Sequence, residues 1–126
     1  MKINFAHICE KAFLSSDGKV NILGVFNDIF SKSKPVLHSQ SYVVFSFTPE
    51  DKESHSLKVI IKSPSGEEVL ELYNSKTNPA IDSKSSLGFI FEIKNLILKE
   101  EGTYSINFFV DNDINHSINF NFKLKK

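Results

Sequence analysis

The chain has 126 residues, 40% of them hydrophobic, with 15 basic and 15 acidic side chains and a formal net charge of zero. That length fits one domain over residues 1–126, and the hydrophobic content excludes a disordered chain. All 15 basic residues are Lys, and a neutral chain without the bidentate fork of Arg carries no basic face for phosphate or guanine, so nucleic acid is not an expected partner.

The first predicted strand covers residues 3–14 and ends at Ser16-Asp17-Gly18-Lys19, where Asp-Gly suits the positive φ of a tight hairpin. A second strand follows over 20–29, with Gly24 marking a bulge or a close backbone approach. Val20, Ile22, Leu23, Val25 and Phe26 put apolar side chains on both of its faces, which predicts a central strand. After a loop around Pro35, residues 39–47 set Val43, Phe45 and Phe47 against Tyr42 and Val44. A charged loop over 48–55 leads to a strand over 57–62, with Leu57, Val59 and Ile61 inward and Lys58 and Lys62 outward. Ser63-Pro64-Ser65-Gly66 reads as a turn and 67–73 as the next strand.

Residues 74–86 form the longest irregular stretch, expected to be a mobile loop. The strand over 87–96 alternates Leu87, Phe89, Phe91 and Ile93 with Gly88, Ile90, Glu92 and Lys94. Glu100-Glu101-Gly102 turns the chain into a strand over 103–110, and Asp111-Asn112-Asp113 is the hairpin signal before the last strand, 115–124. About eight short strands with no helix to cover them must bury their apolar faces against each other. The expected fold is therefore all-β, a two-sheet antiparallel β-sandwich of immunoglobulin-like or C2-like form. Twelve Phe, with no Trp and one Met, suit such a pleated core.

Cys9 is the only cysteine, so no intrachain disulfide forms and a reducing cytosol is the expected compartment. Asn4, His7, Glu10 and Lys11 interrupt the apolar character of the N-terminal stretch, against a signal peptide, and no segment reaches the roughly 18 apolar residues of a membrane span, so no membrane partner is expected.

Several side chains are candidates for chemistry. His7 and Cys9 share one face of the first strand and could ligate a soft metal, but the remaining imidazoles, His38, His55 and His116, show no ligand spacing. Asp17, Asp28, Asp111 and Asp113 could line one end of the sandwich as calcium ligands; Asp17, Asp111 and Asp113 also stand where turns favour Asp for backbone reasons. No strand–turn–helix elbow presents a nucleophile and no glycine-rich loop cradles phosphate, so neither an enzyme nor a cofactor is expected. Ile60, Ile90 and Phe109 lie opposite the core-facing series and are the candidate interaction patch.

Cys9-Glu10, followed by Asp17-Gly18-Lys19-Val20-Asn21-Ile22-Leu23-Gly24-Val25-Phe26-Asn27-Asp28-Ile29, resembles the opening of a prokaryotic family of small β-sandwich proteins of unknown function. Gly102-Thr103-Tyr104-Ser105-Ile106-Asn107-Phe108 resembles that family's penultimate strand. The resemblance implies one family domain over nearly the whole chain and assigns no catalytic or binding residue. The resulting expectation is a non-enzymatic cytosolic protein-interaction module, whose partner is another protein or a second copy in a homodimer. A ligand- or calcium-binding sandwich is the alternative, and an unrecognised hydrolase a further one.

Overall fold

The computed structural model describes residues 2–51, 53–77 and 87–125. The described residues are all-β, with nine strands rather than about eight: β1 (Lys2–Leu14), β2 (Val20–Val25), β3 (Asp28–Ser31), β4 (Val36–Thr48), β5 (Ser56–Lys62), β6 (Glu68–Lys76), β7 (Leu87–Leu98), β8 (Gly102–Val110) and β9 (Asp113–Leu124). They form a four-stranded sheet in the order β2-β1-β4-β7 and a five-stranded sheet in the order β3-β9-β8-β5-β6. All pairings are antiparallel except β3 with β9. The stretch 74–86, expected to be irregular, begins inside β6, which runs to Lys76; residues 78–86 lie outside the described residues.

The extra strand comes from residues 20–29, which are two strands in two sheets. Gly24 takes a φ of 70°, and a side chain there would sit 3.0 Å from Cγ, Cδ and Oε2 of Glu10. Past this point β2 ends, and β3 begins three residues later alongside β9. Asn27 accepts the Asn121 amide at 2.7 Å and Ser31 accepts the Lys125 amide at 2.7 Å, fixing the transfer at both ends of β3.

The two sheets meet over an aromatic core. From the first sheet come Ile3, Ala6, Ile8, Val43, Phe45, Phe47, Ile93, Leu96 and Leu98, and from the second Leu57, Val59, Ile61, Tyr104, Ile106, Phe108, Phe120 and Phe122. Phe45 stacks on Phe89 and Phe91 at centroid separations of 5.3 and 5.5 Å and meets Phe108 of the opposite sheet edge-on at 5.0 Å. Phe45 and Phe108 are wholly buried and contribute roughly 1.5–3 kcal/mol each, and their contact joins the two sheets. The Tyr104 ring stacks on Phe120, while its hydroxyl donates to Glu100 O at 2.9 Å and accepts the Glu100 amide at 3.2 Å, tying the β7–β8 corner to the start of β8.

Strict alternation holds along β7 only as far as Lys94. Asn95 has a φ of 57°, and beyond it Leu96 and Leu98 are buried while Ile97 is half exposed. A left-handed residue inside a strand twists the chain enough to exchange its faces. Two turns share one design: Gly18 N donates to Ser15 O and Ser15 N to Lys19 O, as Gly66 N does to Ser63 O and Ser63 N to Glu67 O. Of the Asp17-Gly18 pair, only Gly18 needs positive φ (82°). This is a type I turn closed by a left-handed glycine.

Candidate interaction surface

Two-sheet folds end in edge strands, and among the described residues the edges are β2 and β7 on one sheet and β3 and β6 on the other. An edge offers unpaired backbone groups to another chain unless charge, proline or shortness protects it. β3 has four residues and carries Asp28; β6 carries Glu68, Glu71 and Lys76; β7 carries Glu92 and Lys94. β2, Val20-Asn21-Ile22-Leu23-Gly24-Val25, has neither charge nor proline. It is an edge strand with apolar residues on both faces, not the central strand its sequence suggested.

The hairpin that contains β2 leaves the sheet it belongs to. β1 pairs with β4 from Lys2 to Cys9, and beyond Cys9 with β2 alone. Gly88 lies on the outer side of β7, opposite Ser46, and a Cβ there would meet Val20 Cγ2 at 3.1 Å. The start of β2 therefore lies back across the outer face of its own sheet. This explains why Cys9 and Val44, both outward-facing, have no exposed surface. The Cys9 thiol donates to Lys11 O at 3.4 Å, and burial raises its pKa above the ordinary thiol value.

The hairpin then presents an apolar surface. Phe13 is 50% exposed, Leu14 61%, Leu23 54% and Val25 53%. Leu23 pairs with Lys11, Val25 with Cys9 and Asn21 with Phe13, so Phe13, Leu23 and Val25 share one side of the ribbon, with Lys11 among them. Leu14 adds a fourth apolar side chain beside the turn. Exposed apolar residues gathered on one element mark an interaction surface, unlike single ones scattered over a molecule. Apolar residues on both faces of 20–29 fit a charge-free edge as well as a buried central strand, so the sequence alone does not reveal this surface.

The expected patch of Ile60, Ile90 and Phe109 does not assemble. All three do face away from the core cluster. Ile60 and Phe109 lie on the outer side of the five-stranded sheet and Ile90 on that of the other sheet. Ile60 is only 4% exposed, because Lys62 and Phe109 meet over its row with the ammonium 6.0 Å from the ring centroid. Thr103, Ser105, Asn107, Ser117 and Asn121 make the middle of that face polar, joined by Thr103–Asn121 (2.8 Å), Asn107–Ser105 and Ser117–Asn107 (both 3.0 Å) hydrogen bonds, while exposed Ile114 pairs with Phe109 at one end and half-exposed Phe30 on β3 lies opposite Lys123. β9 is covered on its far side by β3.

The carboxylate candidates are tied into turns. Asp17 accepts from the Ser15 hydroxyl and meets Lys19 at 3.3 Å in the first turn; the Ser15 bond leads in lowering its pKa. Asp111, in the β8–β9 turn, is held by His55 and by the Ser56 amide, and Asp113 opens β9 opposite Val110. Asp28 accepts from the Asn121 amide group at 3.2 Å and pairs with Lys123. Among the described residues, no three or more His, Cys, Asp or Glu side chains are grouped to hold a metal ion. His7 is exposed and stacked on Phe5, apart from the buried Cys9 thiol. A groove of about 310 Å³ between β6 and β7 is lined by Glu67, Leu70, Ile97, Lys99, Glu100 and Tyr104. No helix among the described residues is long and apolar enough to cross a membrane.

An all-β domain of two packed sheets is thus the class to which the molecule belongs. Residues 4–123 match the model of a family of unknown function (DUF6941), and the chain belongs to that family. No curated protein matches it. Among solved structures it is similar to the Pseudomonas fluorescens alkylpurine DNA glycosylase AlkC bound to DNA containing an abasic site analog, with a TM-score of 0.51 and 10% identity. The likeness covers 94% of this chain and 30% of the glycosylase, and at that identity it is one of fold. It corrects the expected partner set. A fold of this kind occurs in a protein bound to DNA, so an expected partner set that excludes nucleic acid and is restricted to another protein or a second copy does not stand.

Proposed function

We propose that the domain is a non-enzymatic interaction module of immunoglobulin-like form whose working surface is the β1–β2 hairpin. The form is supported by three features: β3 runs parallel to the last strand, β9-β8-β5-β6 follow one another in one sheet, and the Tyr104 hydroxyl bonds back to Glu100 at the corner before β8. A C2-like form has no such support. One observation carries the functional reading: β2 is the edge strand without charge, and exposed Phe13, Leu14, Leu23 and Val25 surround it. Unpaired backbone groups supply hydrogen bonds to an added extended segment, and the apolar side chains supply the buried area. A cytosolic location belongs to the same proposal and rests on a single, buried, reduced thiol.

The non-enzymatic part is supported by how polar side chains are used. His55 spends both ring nitrogens on carboxylates, and Ser15 and Asp17 bond each other within a turn. The calcium alternative has weaker support, since Asp17 and Asp111 serve the turns of different hairpins.

A displayed random-peptide library tests the reading. Extended apolar sequences should be enriched on the wild-type domain and lost on a Leu23→Lys, Val25→Lys variant, with chemical-shift changes concentrated on β2. Enrichment that ignores these substitutions would remove the hairpin from the proposal. A second reading takes single-stranded nucleic acid on the outer face of the five-stranded sheet. It is supported by the Lys123 and Lys125 ammonium groups 6.0 and 5.7 Å from the half-exposed Phe30 ring, a stacking surface beside cations, and by the DNA-bound state of AlkC. Oligonucleotide anisotropy at low salt, compared between wild type and Phe30→Ala, separates the two.

A further inference from the structure

Where β4 hands over to β5, the His55 imidazole has a carboxylate on each ring nitrogen. Nδ1 lies 2.6 Å from Asp111 Oδ2 and Nε2 lies 2.8 Å from Asp51 Oδ1. Ionised carboxylates only accept hydrogen bonds, so both contacts are made at once only by a ring protonated on both nitrogens. We propose that Asp51, His55 and Asp111 form a proton-controlled latch fastening the β4–β5 connection to the turn between β8 and β9.

The surroundings decide which half of the latch moves. The His55 backbone is held whatever the charge of its ring: its amide donates to Thr77 Oγ1 at 3.2 Å and its carbonyl accepts the Thr77 amide at 2.8 Å. Asp111 is held by more than the ring. Its Oδ1 accepts the Ser56 amide at 3.0 Å and its own amide donates to Ser56 O at 2.9 Å. Asp51 has the Nε2 contact and the amide of Glu53, two residues along the same connection, at 3.0 Å. A neutral imidazole donates from one nitrogen only, and the Nδ1 bond to the fixed Asp111 is the one retained. Loss of the proton therefore releases Asp51 from the ring.

The charged groups in contact with the ring are Asp51 on its own connection and Asp111 at the β8–β9 turn; Glu50, Lys52 and Glu53 neighbour it in sequence, Lys76 of β6 pairs across from Ser56, Asp113 closes the β8–β9 turn, and the N-terminal ammonium acts on Asp51. The balance is acidic and favours the imidazolium. The hydrogen bond to Asp111, then that to Asp51, raises the His55 pKa above its ordinary value, and His55 in turn lowers those of both carboxylates. A raised histidine contributes stability that is complete below its unfolded pKa and is lost as pH rises through the folded one. The lowered carboxylates contribute above their unfolded pKa and lose that contribution as pH falls through the folded one. The latch is closed between those limits and opens at either end.

The test is an NMR titration of the full chain, following the His55 ring nitrogens together with amide exchange at Glu53 and Ser56, corrected for base catalysis. The wild-type ring should titrate above the ordinary histidine value and emerge as the Nδ1–H tautomer. Glu53 protection should fall through that transition by about tenfold, the scale of one charged hydrogen bond, while Ser56 stays protected. Asp51→Asn should move the ring midpoint down and make Glu53 exchange independent of pH; His55→Gln should show fast Glu53 exchange at every pH. An ordinary or depressed midpoint in the wild type, or Glu53 protection equal on both sides of the transition, would overturn the latch.

Discussion

The β1–β2 and β8–β9 hairpins both turn through left-handed residues, Gly18 in one and Asp111 with Asn112 in the other, yet they are held in opposite ways. β8 and β9 lie inside the five-stranded sheet, send Tyr104, Ile106, Phe108, Phe120 and Phe122 into the core, and fasten their turn to His55 and Ser56. β1–β2 ends at a sheet edge, bonds its turn to itself through Ser15, Asp17 and Lys19, and leaves four large apolar side chains in solvent. A hairpin built for stability turns its apolar residues inward and ties its tip to the rest. One whose tip is bonded to itself and whose end carries half-exposed Phe13, Leu14, Leu23 and Val25 spends apolar surface on something other than the fold, which is the physical basis for reading the end of β1–β2 as a contact surface.

Truncating one Phe in each hairpin puts that difference to the largest test. Phe108→Ala removes a wholly buried ring that meets Phe45 across the sheets and should cost about 3–5 kcal/mol in chemical denaturation. Phe13→Ala removes a ring half in water and should stay within about 0.5 kcal/mol of wild type. Equal losses would mean that β1–β2 is a structural hairpin after all.

The turns give a smaller contrast. Gly18 has open space around its missing Cβ, so Gly18→Val introduces backbone strain alone, about 1–3 kcal/mol for a β-branched residue at positive φ. Because this hairpin is bonded chiefly to itself, the loss should be local. Cys9 reports it: the buried thiol should react with a disulfide reagent faster in Gly18→Val than in wild type, and before global unfolding. Reaction only at the rate of global unfolding would join the hairpin to the core as one cooperative unit.

How much of this is legible in the sequence follows from the range of each cause. Period-two alternation over 57–62 and 103–110 places Leu57, Val59, Ile61, Tyr104, Ile106 and Phe108 inward correctly, because a strand's facing is a local property. The exchange of faces at Asn95 is not legible, since Asn takes positive φ only where its neighbours require it. Ile60 faces outward as its position says, but its cover comes from Lys62 and from Phe109 on the adjacent strand. Gly24 is visible as an irregularity, whereas the move from one sheet to the other depends on β9, nearly a hundred residues later in the chain. The His55 latch is invisible for the same reason: Asp51 is four residues away, and Asp111 is brought in by the β5–β8 pairing.

The smallest expected change in stability is also the one closest to function. Leu23 is 54% exposed, pairs with Lys11 on one side and has an open edge on the other. Replacing it by Lys buries no charge and breaks no backbone bond, so Leu23→Lys should leave the denaturation midpoint nearly unchanged, within about 0.5 kcal/mol. It does place a second cation beside Lys11 between Phe13 and Val25, and puts a charge on the one edge strand among the described residues that lacks it. Natural sheets use Lys in this way to keep other strands from adding. A fluorescent dye that lights up on exposed apolar surface should therefore bind the variant several-fold more weakly than wild type, although the fold is the same. Undiminished dye binding would locate the accessible apolar surface elsewhere, with the Val69 and Ile97 flanks of the β6–β7 groove the next place to look.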